Sequence, residues 1–334
     1  MFQEIFLVQA GVFRITFTIM KEFELIKYIR KTFEKNNRHN GLLVPIGDDC
    51  SVILPPKGMA QATTIDSLVE GNHFSSKYFT PREIGRKALR VNLSDLASMG
   101  ARPPYYAWLV FALPPSFPDA AIKGILAGVK EDCERYGIIL AGGNITGSAE
   151  FQIHLALSGW VQPRKMLTRG GAQAGDRIFV TGTIGASTLA YQQFKAGQSP
   201  YRWLLKRWAN PEPKLEIGRF LAENRIATAC IDVSDGIFQD LGHIIKDSGT
   251  GAELYWEKLP IFPRLKKLKP TPQMIGFGED YELLFTVNPR NIKKLKPLAD
   301  QITEIGHITK SGFRVYGADG EEINATNVGF SHLA

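Results

Sequence analysis

The chain has 334 residues, 44% of them hydrophobic and 22% charged, the composition of a soluble globular protein with enough length for two domains of ordinary size. Three widely spaced cysteines, Cys50, Cys133 and Cys230, exclude a disulfide framework and a CxxC zinc site, and point to reduced thiols in a cytoplasm. The net charge of +7 is dispersed or runs at helix-like spacing, as in RLKKLK (264–269) and RNIKKLK (290–296), so it reads as solvated faces rather than a nucleic-acid surface. No stretch is apolar enough to span a membrane.

Residues 1–19 lack a basic n-region and carry Glu4 and Arg14, so they make a poor signal peptide. An amphipathic helix starts at Met20-Lys21, with Phe23, Ile26, Ile29 and Phe33 on one face, and Met20 is the expected biological start. Ile46 to Phe74 is expected to form a hairpin: Val52 to Leu54 is a short β-rich run, PPKG is turn chemistry, and Ala60 to Ile65 returns with alternation. Asp48, Asp49, Asp66 and Glu70 then sit at its mouths, with Asp49 beside Asp66. Neighbouring carboxylates in a semi-buried place repel unless a cation lies between them, and Mg²⁺ takes such oxygen ligands together with substrate phosphates. The alternative is a solvated DD turn and a strand-end Asp.

PREIGRKALRVNLSDLASMGARP (81–103) predicts a helix from Pro81 to a stop at Gly100, with Asn92 and Asp95 on one side. An Asp in so apolar a helix needs a partner, and the acids of the hairpin suggest a shared metal. AWLVFAL (107–113) reads as a buried strand, Asp119 to Tyr136 as a helix, IILAGGNITGS (138–148) as a short strand running into a Gly-rich turn, and FQIHLALSGWV (151–161) as a half-buried strand. Glycines 142 and 143 would let backbone N–H groups approach an anion, or serve only the turn. This order is an α+β pattern with helices on one side of a mixed sheet.

The domain boundary is placed near Gln162 to Lys165, giving domains 20–161 and 166–334. Arg169 before two glycines suits a phosphate or caps a turn. TACIDVSDGIFQDLGHIIKDSG (228–249) reads as a strand ending in Asp232, a turn at Ser234-Asp235-Gly236, and an amphipathic helix. Carboxylates there occupy a typical ligand crevice, although Asp235 is equally suited to capping the helix. PQMIGFGEDYELLFTV (272–287) is another acidic turn leading into a strand.

The words GDDC, TTIDSLVEGNHF, NLSDLASMGARP, GGN, LTRGGA, IDVSDG and FGEDYELLFT occur in the order and spacing of the thiamine-monophosphate kinase family, and the chain resembles it over about residues 20 to 332. That family lies in the superfamily resembling aminoimidazole ribonucleotide synthetase. The resemblance implies an α+β N-terminal domain that dimerises through its sheet, an α/β-type C-terminal domain, and ATP in the cleft between them. It implies ATP-dependent phosphorylation of thiamine monophosphate, in line and with several Mg²⁺ ions, by a cytoplasmic homodimer. Asp49, Thr64, Asp66, Asp95, Asp232 and Asp235 match magnesium ligands. Gly143, Asn144, Arg169 and Ser234 match ATP contacts; His73, Glu279 and Phe330 match positions that hold thiamine phosphate.

Two positions depart from the family pattern. Asn144 stands where many members have Asp, and Ile65 where many have Thr, which leaves only a backbone carbonyl for ligation there. The acceptor is an ionised phosphate monoester, so no general base is required. Dehydratase or selenophosphate synthetase chemistry needs a reactive terminal cysteine, whereas this chain ends HLA and Cys50 lies within a motif. A nucleotide-binding regulator without turnover is the reading from another class.

Overall fold

The computed structural model of the chain describes residues 20–35, 41–325 and 328–329. Residues 1–19 and Phe330 lie outside them. The first half runs α1 (Glu22–Phe33), β1 (Leu42–Val44), β2 (Val52–Ile53), β3 (Ala60–Val69), α2 (Pro81–Ser98), β4 (Arg102–Leu113), α3 (Asp119–Tyr136), β5 (Ile138–Gly147) and β6 (Gln152–Val161). Four of these strands form a mixed sheet in the order β3-β6-β4-β5, with only β4 and β5 parallel. Its inner face, including Leu68, Leu155, Leu157, Leu109 and Phe111, shares a core with Leu89 and Leu93 of α2 and Ile125 of α3. That covered face explains why α2 is so apolar. Its start is fixed by the sequence: Thr80 accepts from the Glu83 backbone N–H, the Glu83 carboxylate accepts from that of Thr80, and Pro81 opens the first turn.

The expected hairpin does not form. β2 pairs with β1 in a separate two-stranded sheet, while β3 pairs with β6 along its whole length, Thr64 opposite Leu157 and Asp66 opposite Leu155. Local alternation and turn chemistry are compatible with pairing 52–54 to 60–65, but ten consecutive residue pairs with β6 outweigh a three-residue ribbon. The Gly-rich turn is corrected too. Gly142, Gly143 and Asn144 lie inside β5, paired in parallel with Trp108, Leu109 and Val110. A Cβ on Gly143 would stand 1.9 Å from the Leu109 carbonyl oxygen, so glycine serves close strand contact there, not a bend.

The second half runs β7 (Arg177–Thr181), α4 (Ala186–Lys195), α5 (Arg202–Ala209), α6 (Leu215–Glu223), β8 (Ala227–Asp232), α7 (Ile237–Ser248), β9 (Gly251–Tyr255), α8 (Pro263–Lys266), α9 (Pro272–Ile275), β10 (Leu283–Val287), β11 (Ile302–Thr309) and β12 (Phe313–Tyr316). Its six-stranded sheet has the order β12-β9-β11-β7-β10-β8, antiparallel except for β12 with β9. The basic run 290–296 lies in a 3₁₀ segment, Pro289–Leu298. No described helix is long and apolar enough to cross a membrane.

The two halves meet along α2. Ala97 near its end is buried with Ile217 and Leu221 of α6 and Phe285 of β10. Arg90, in mid-helix, donates to both Asp132 oxygens at 2.6 and 3.0 Å and to the Pro211 carbonyl at 3.2 Å, which links α2, α3 and the segment before α6. One helix therefore carries residues toward both sheets.

Candidate active site

The pleat of β3 aims Thr64, Asp66 and Leu68 at α2 and leaves Ile65 and Ser67 on the other face, where Ile65 is 71% exposed. Asp95 of α2 accepts the Thr64 hydroxyl hydrogen bond, so strand and helix fix each other's polar side chains. One residue earlier on α2, Ser94 donates to the buried Asp232 at 2.7 Å, where β8 ends. Asp66, Asp95, Asp232, Ser234, Asp235 and Glu279 line one cavity of about 440 Å³ that draws on both halves of the chain.

These carboxylates are held against their own charge. Burial, then the charges of Asp95 and Glu279, raise the Asp66 carboxyl to about 7. Burial likewise raises Asp95, with the Thr64 hydroxyl and the Arg169 guanidinium pulling part of the way back. Asp232 is pushed well above the carboxylate range by burial and by Asp95. Arg169, near enough to act on Asp95 by its charge, lies on a segment laid along β8 by the Cys230 N–H to Thr168 carbonyl hydrogen bond of 2.8 Å.

The turn after β8 is compressed. Gly236 has φ 118°, and a Cβ there would stand 1.8 Å from the Gly276 carbonyl oxygen, so only glycine fits. Asp240 accepts from the backbone N–H groups of Asp235 and Gly236 at 3.1 and 3.0 Å, closing the start of α7. Asp235 therefore does not itself carry the cap that the sequence allowed it. With His243, Asp235 and Asp240 place ligand-type atoms within 4.8 Å of one another. Burial and the neighbouring Asp235 raise Asp240 to about 8.

At the other end of the cavity Glu279 and Tyr281 both take left-handed backbone angles, φ 64° and 52°. Two such non-glycine residues in three positions are held by hydrogen bonds of Glu279 N–H to the Ser234 carbonyl and Tyr281 N–H to the Val233 carbonyl, 2.8 and 2.9 Å. The three acids of the EDYE word consequently go separate ways. Glu279 lines the cavity, Asp280 accepts from the Gly185 and Ser187 N–H groups at the start of α4, and Glu282 pairs with Lys214 at 3.2 Å. Burial would raise Glu279, but the Lys87 ammonium beside it holds it below its ordinary value. His73 lines the same cavity, its ring Nδ1 accepting from the Val69 N–H at 3.1 Å.

Asp49, Gly143 and Asn144 line a second cavity, of about 580 Å³, with Asp48 and the α1 residues Ile26 and Ile29. It lies by β5, at the opposite edge of the sheet from β3. The structure therefore brings together Thr64, Asp66, Asp95, Asp232, Asp235, Ser234, Arg169, His73 and Glu279, and sets Asp49, Gly143 and Asn144 apart. Asp49 and Asp66 are not hairpin neighbours, because β2 and β3 belong to different sheets. Sequence reasoning missed Ser94, Asp240, Lys87, Trp208 and Tyr281. For Lys87 a signal existed: it falls between Ile84 and Val91 on the apolar face of α2, and a lysine there requires a partner.

Comparison with known proteins agrees with this architecture. Residues 47–161 match the family described as AIR synthase related protein, N-terminal domain, and residues 173–317 match its C-terminal domain. Thiamine-monophosphate kinase of Escherichia coli strain K12 is 36% identical over 304 residues, 86% of this chain and 91% of that protein. The crystal structure of thiamine-monophosphate kinase from Stenotrophomonas maltophilia K279a is 33% identical with a TM-score of 0.78, covering 90% of this chain and 97% of that one. A structure described as AaThiL complexed with AMPPCP and TMP is 31% identical with a TM-score of 0.73, covering 95% of this chain and all of that one. The fold, the acid cavity between its halves and these relationships together show that the chain belongs to the thiamine-monophosphate kinase family of AIR synthase related proteins.

Proposed function

We propose that the protein transfers the γ-phosphoryl group of ATP to the phosphate of thiamine monophosphate, giving ADP and thiamine diphosphate. An acceptor phosphate oxygen forms the new bond to phosphorus as the bond to the β-phosphate oxygen breaks, in line. The observation that carries this reading is the convergence of Asp66 and Asp95 from the first half with Asp232 from the second in one cavity. The acceptor phosphate is already largely ionised near neutral pH, so deprotonation by a side chain is not needed. Support also comes from the family relationship and from the relative complexed with AMPPCP and TMP.

The donor set fits Mg²⁺: several carboxylates whose ionisation is opposed by burial and then by their neighbours' charge, with hydroxyls of Thr64 and Ser94 orienting two of them. Asp66, Asp95 and Asp232 would hold the ions, with Thr64, Asp235 and the Ile65 carbonyl as further ligands, while Asp49 would hold an ion from the second cavity and not from this one. Bound there, Mg²⁺ neutralises the phosphates that must meet; unit like charges about 4 Å apart repel by roughly 4 kcal/mol at an effective dielectric of about 20. Arg169 and Ser234 would hold ATP phosphates at the mouth of this cavity, and Gly143 and Asn144 another part of the nucleotide. His73 would orient the acceptor phosphate, while Glu279 and Phe330 would receive the cationic thiazolium end.

We place the enzyme in the cytoplasm as a homodimer with domains 20–161 and 166–334. All three cysteines are free, and apolar Ile65 is exposed on the outer face of the first sheet. The deciding experiment mixes the protein with ATP, Mg²⁺ and thiamine monophosphate and follows thiamine diphosphate by chromatography. Product formation is expected; ATP binding without product would favour the nucleotide-binding regulator.

A further inference from the structure

Lys87 is fully buried in α2, yet its ammonium reaches the acceptor end of the cavity. It donates to the Glu279 carboxylate and, at 3.0 Å, to the backbone carbonyl of His73. Trp208 of α5 donates its indole N–H to the same Glu279 oxygen, Oε2, at 2.8 Å. The Lys87 nitrogen also lies 4.9 Å from the Trp208 ring centre and 5.5 Å from that of Phe79. Two segments of the first half, α2 and the connection that precedes it, and two of the second, α5 and the turn at Glu279, therefore meet on one cation.

The arrangement is more specific than charge compensation. Oε2 takes two donors, whereas among the described residues Oε1 accepts the Tyr281 hydroxyl, at 3.2 Å, and a carboxylate oxygen accommodates about two donors. Lys87 thus fixes both the plane of the carboxylate and the oxygen that retains acceptor capacity toward the cavity. By holding the His73 carbonyl as well, it also sets the spacing between the residue at the acceptor phosphate and the residue at its cationic end. An unpaired ammonium in so apolar a cage would be costly, so the lysine and Glu279 hold each other.

We propose that Lys87 is a positioning residue for the acceptor, acting through Glu279 and the His73 loop to set affinity for the phosphorylated, cationic substrate. This rests on the kinase reading given above. Lys87→Met keeps most of the buried methylene packing and removes the donor. Its expected effect is a rise in the KM for thiamine monophosphate of about tenfold or more, the scale of one charge-assisted hydrogen bond. The KM for ATP should stay within about twofold, and in a Glu279→Gln background the same change should add less than about twofold, because both act on one contact.

An equal rise in both KM values, or penalties that simply add, would overturn the assignment. So would a Lys87→Met enzyme with unchanged acceptor KM while the wild type turns over. A wild type that makes no thiamine diphosphate sinks the kinase reading and this one together, and is measured first. Lys87→Gln, which keeps a donor for the His73 carbonyl, replaces Met should that variant fail to fold. Loss of fold in both would assign the ammonium to the core and overturn the positioning role.

Discussion

The two ends of the inter-domain cavity treat buried acid in opposite ways. At one end Asp66, Asp95 and Asp232 crowd together; burial drives all three toward protonation, and at Asp66 and Asp232 the charges of neighbouring acids add to it. At the other, Glu279 is just as enclosed but has its own lysine and an indole N–H, and stays ionised. The chain can supply a cation to a buried carboxylate where the fold needs one. Leaving three without a lysine of their own, and ordering two of them with hydroxyl donors, is the contrast on which the proposed cation site rests.

The sharpest way to break this comparison is Asp95→Ala. We expect kcat/KM to fall by at least about a hundredfold, equivalent to ~2.7 kcal/mol of transition-state stabilisation. The fold should survive, because the side chain is a ligand and not core packing. Without Mg²⁺ the variant should melt higher than the wild type at neutral pH, since one repelling acid is gone. Near-normal turnover, or a lower melting temperature in chelator, would remove Asp95 from the cation site.

Much of this contrast was legible in the sequence, but unevenly. α2, α3, β6 and β8 follow directly from periodicity and punctuation, because each buries one face on a sheet or carries its own cap. The carboxylates that end up together could be named as a set from their motifs. Their geometry could not: Asp66 meets Asp95 because β3 pairs with β6 and not with β2, a long-range choice that local alternation does not encode. The same holds for GGN, whose glycines look like a turn until the neighbouring strand is seen to lie against them. Lys87 shows in the sequence only that it needs a partner, and Trp208 shows nothing; the partner itself is hidden for a different reason, since Glu279 lies 192 residues from Lys87 and is aimed by left-handed backbone that no propensity predicts.

A second effect, smaller than loss of turnover, lies in the pH dependence of stability. A carboxyl raised from 3.8 when unfolded to about 7 when folded, as at Asp66, binds more protons in the folded state between those values. Stability therefore falls as pH rises through that window and the loss is complete above it. Asp240, raised to about 8, and Asp280, raised to about 7, add to the same slope. Metal-free protein should thus melt lower at pH 8 than at pH 5. Mg²⁺ at about ten times its Kd should restore roughly 1.4 kcal/mol at pH 8 and less at pH 5, where the ligands hold protons. Thermal melts in chelator and in Mg²⁺ at both values test this, and a Mg²⁺ shift that is larger at pH 5 would contradict it.

The smallest expected effect concerns Ile65, between Thr64 and Asp66 in sequence but on the far face of β3, opposite Ala156 of β6. The family resemblance of the sequence implies Thr there, and by spacing alone Ile65→Thr would look like the restoration of a ligand. The pleat argues otherwise: a hydroxyl at this position lies on the exposed face of β3, opposite to the face that carries Thr64 and Asp66. Turnover and the Mg²⁺ concentration for half-maximal activity should therefore stay within about twofold, the usual range of an exposed substitution. A markedly lower Mg²⁺ requirement in the variant would mean that the strand turns when the site is loaded, and that the cation end is less preorganised than the Glu279 end.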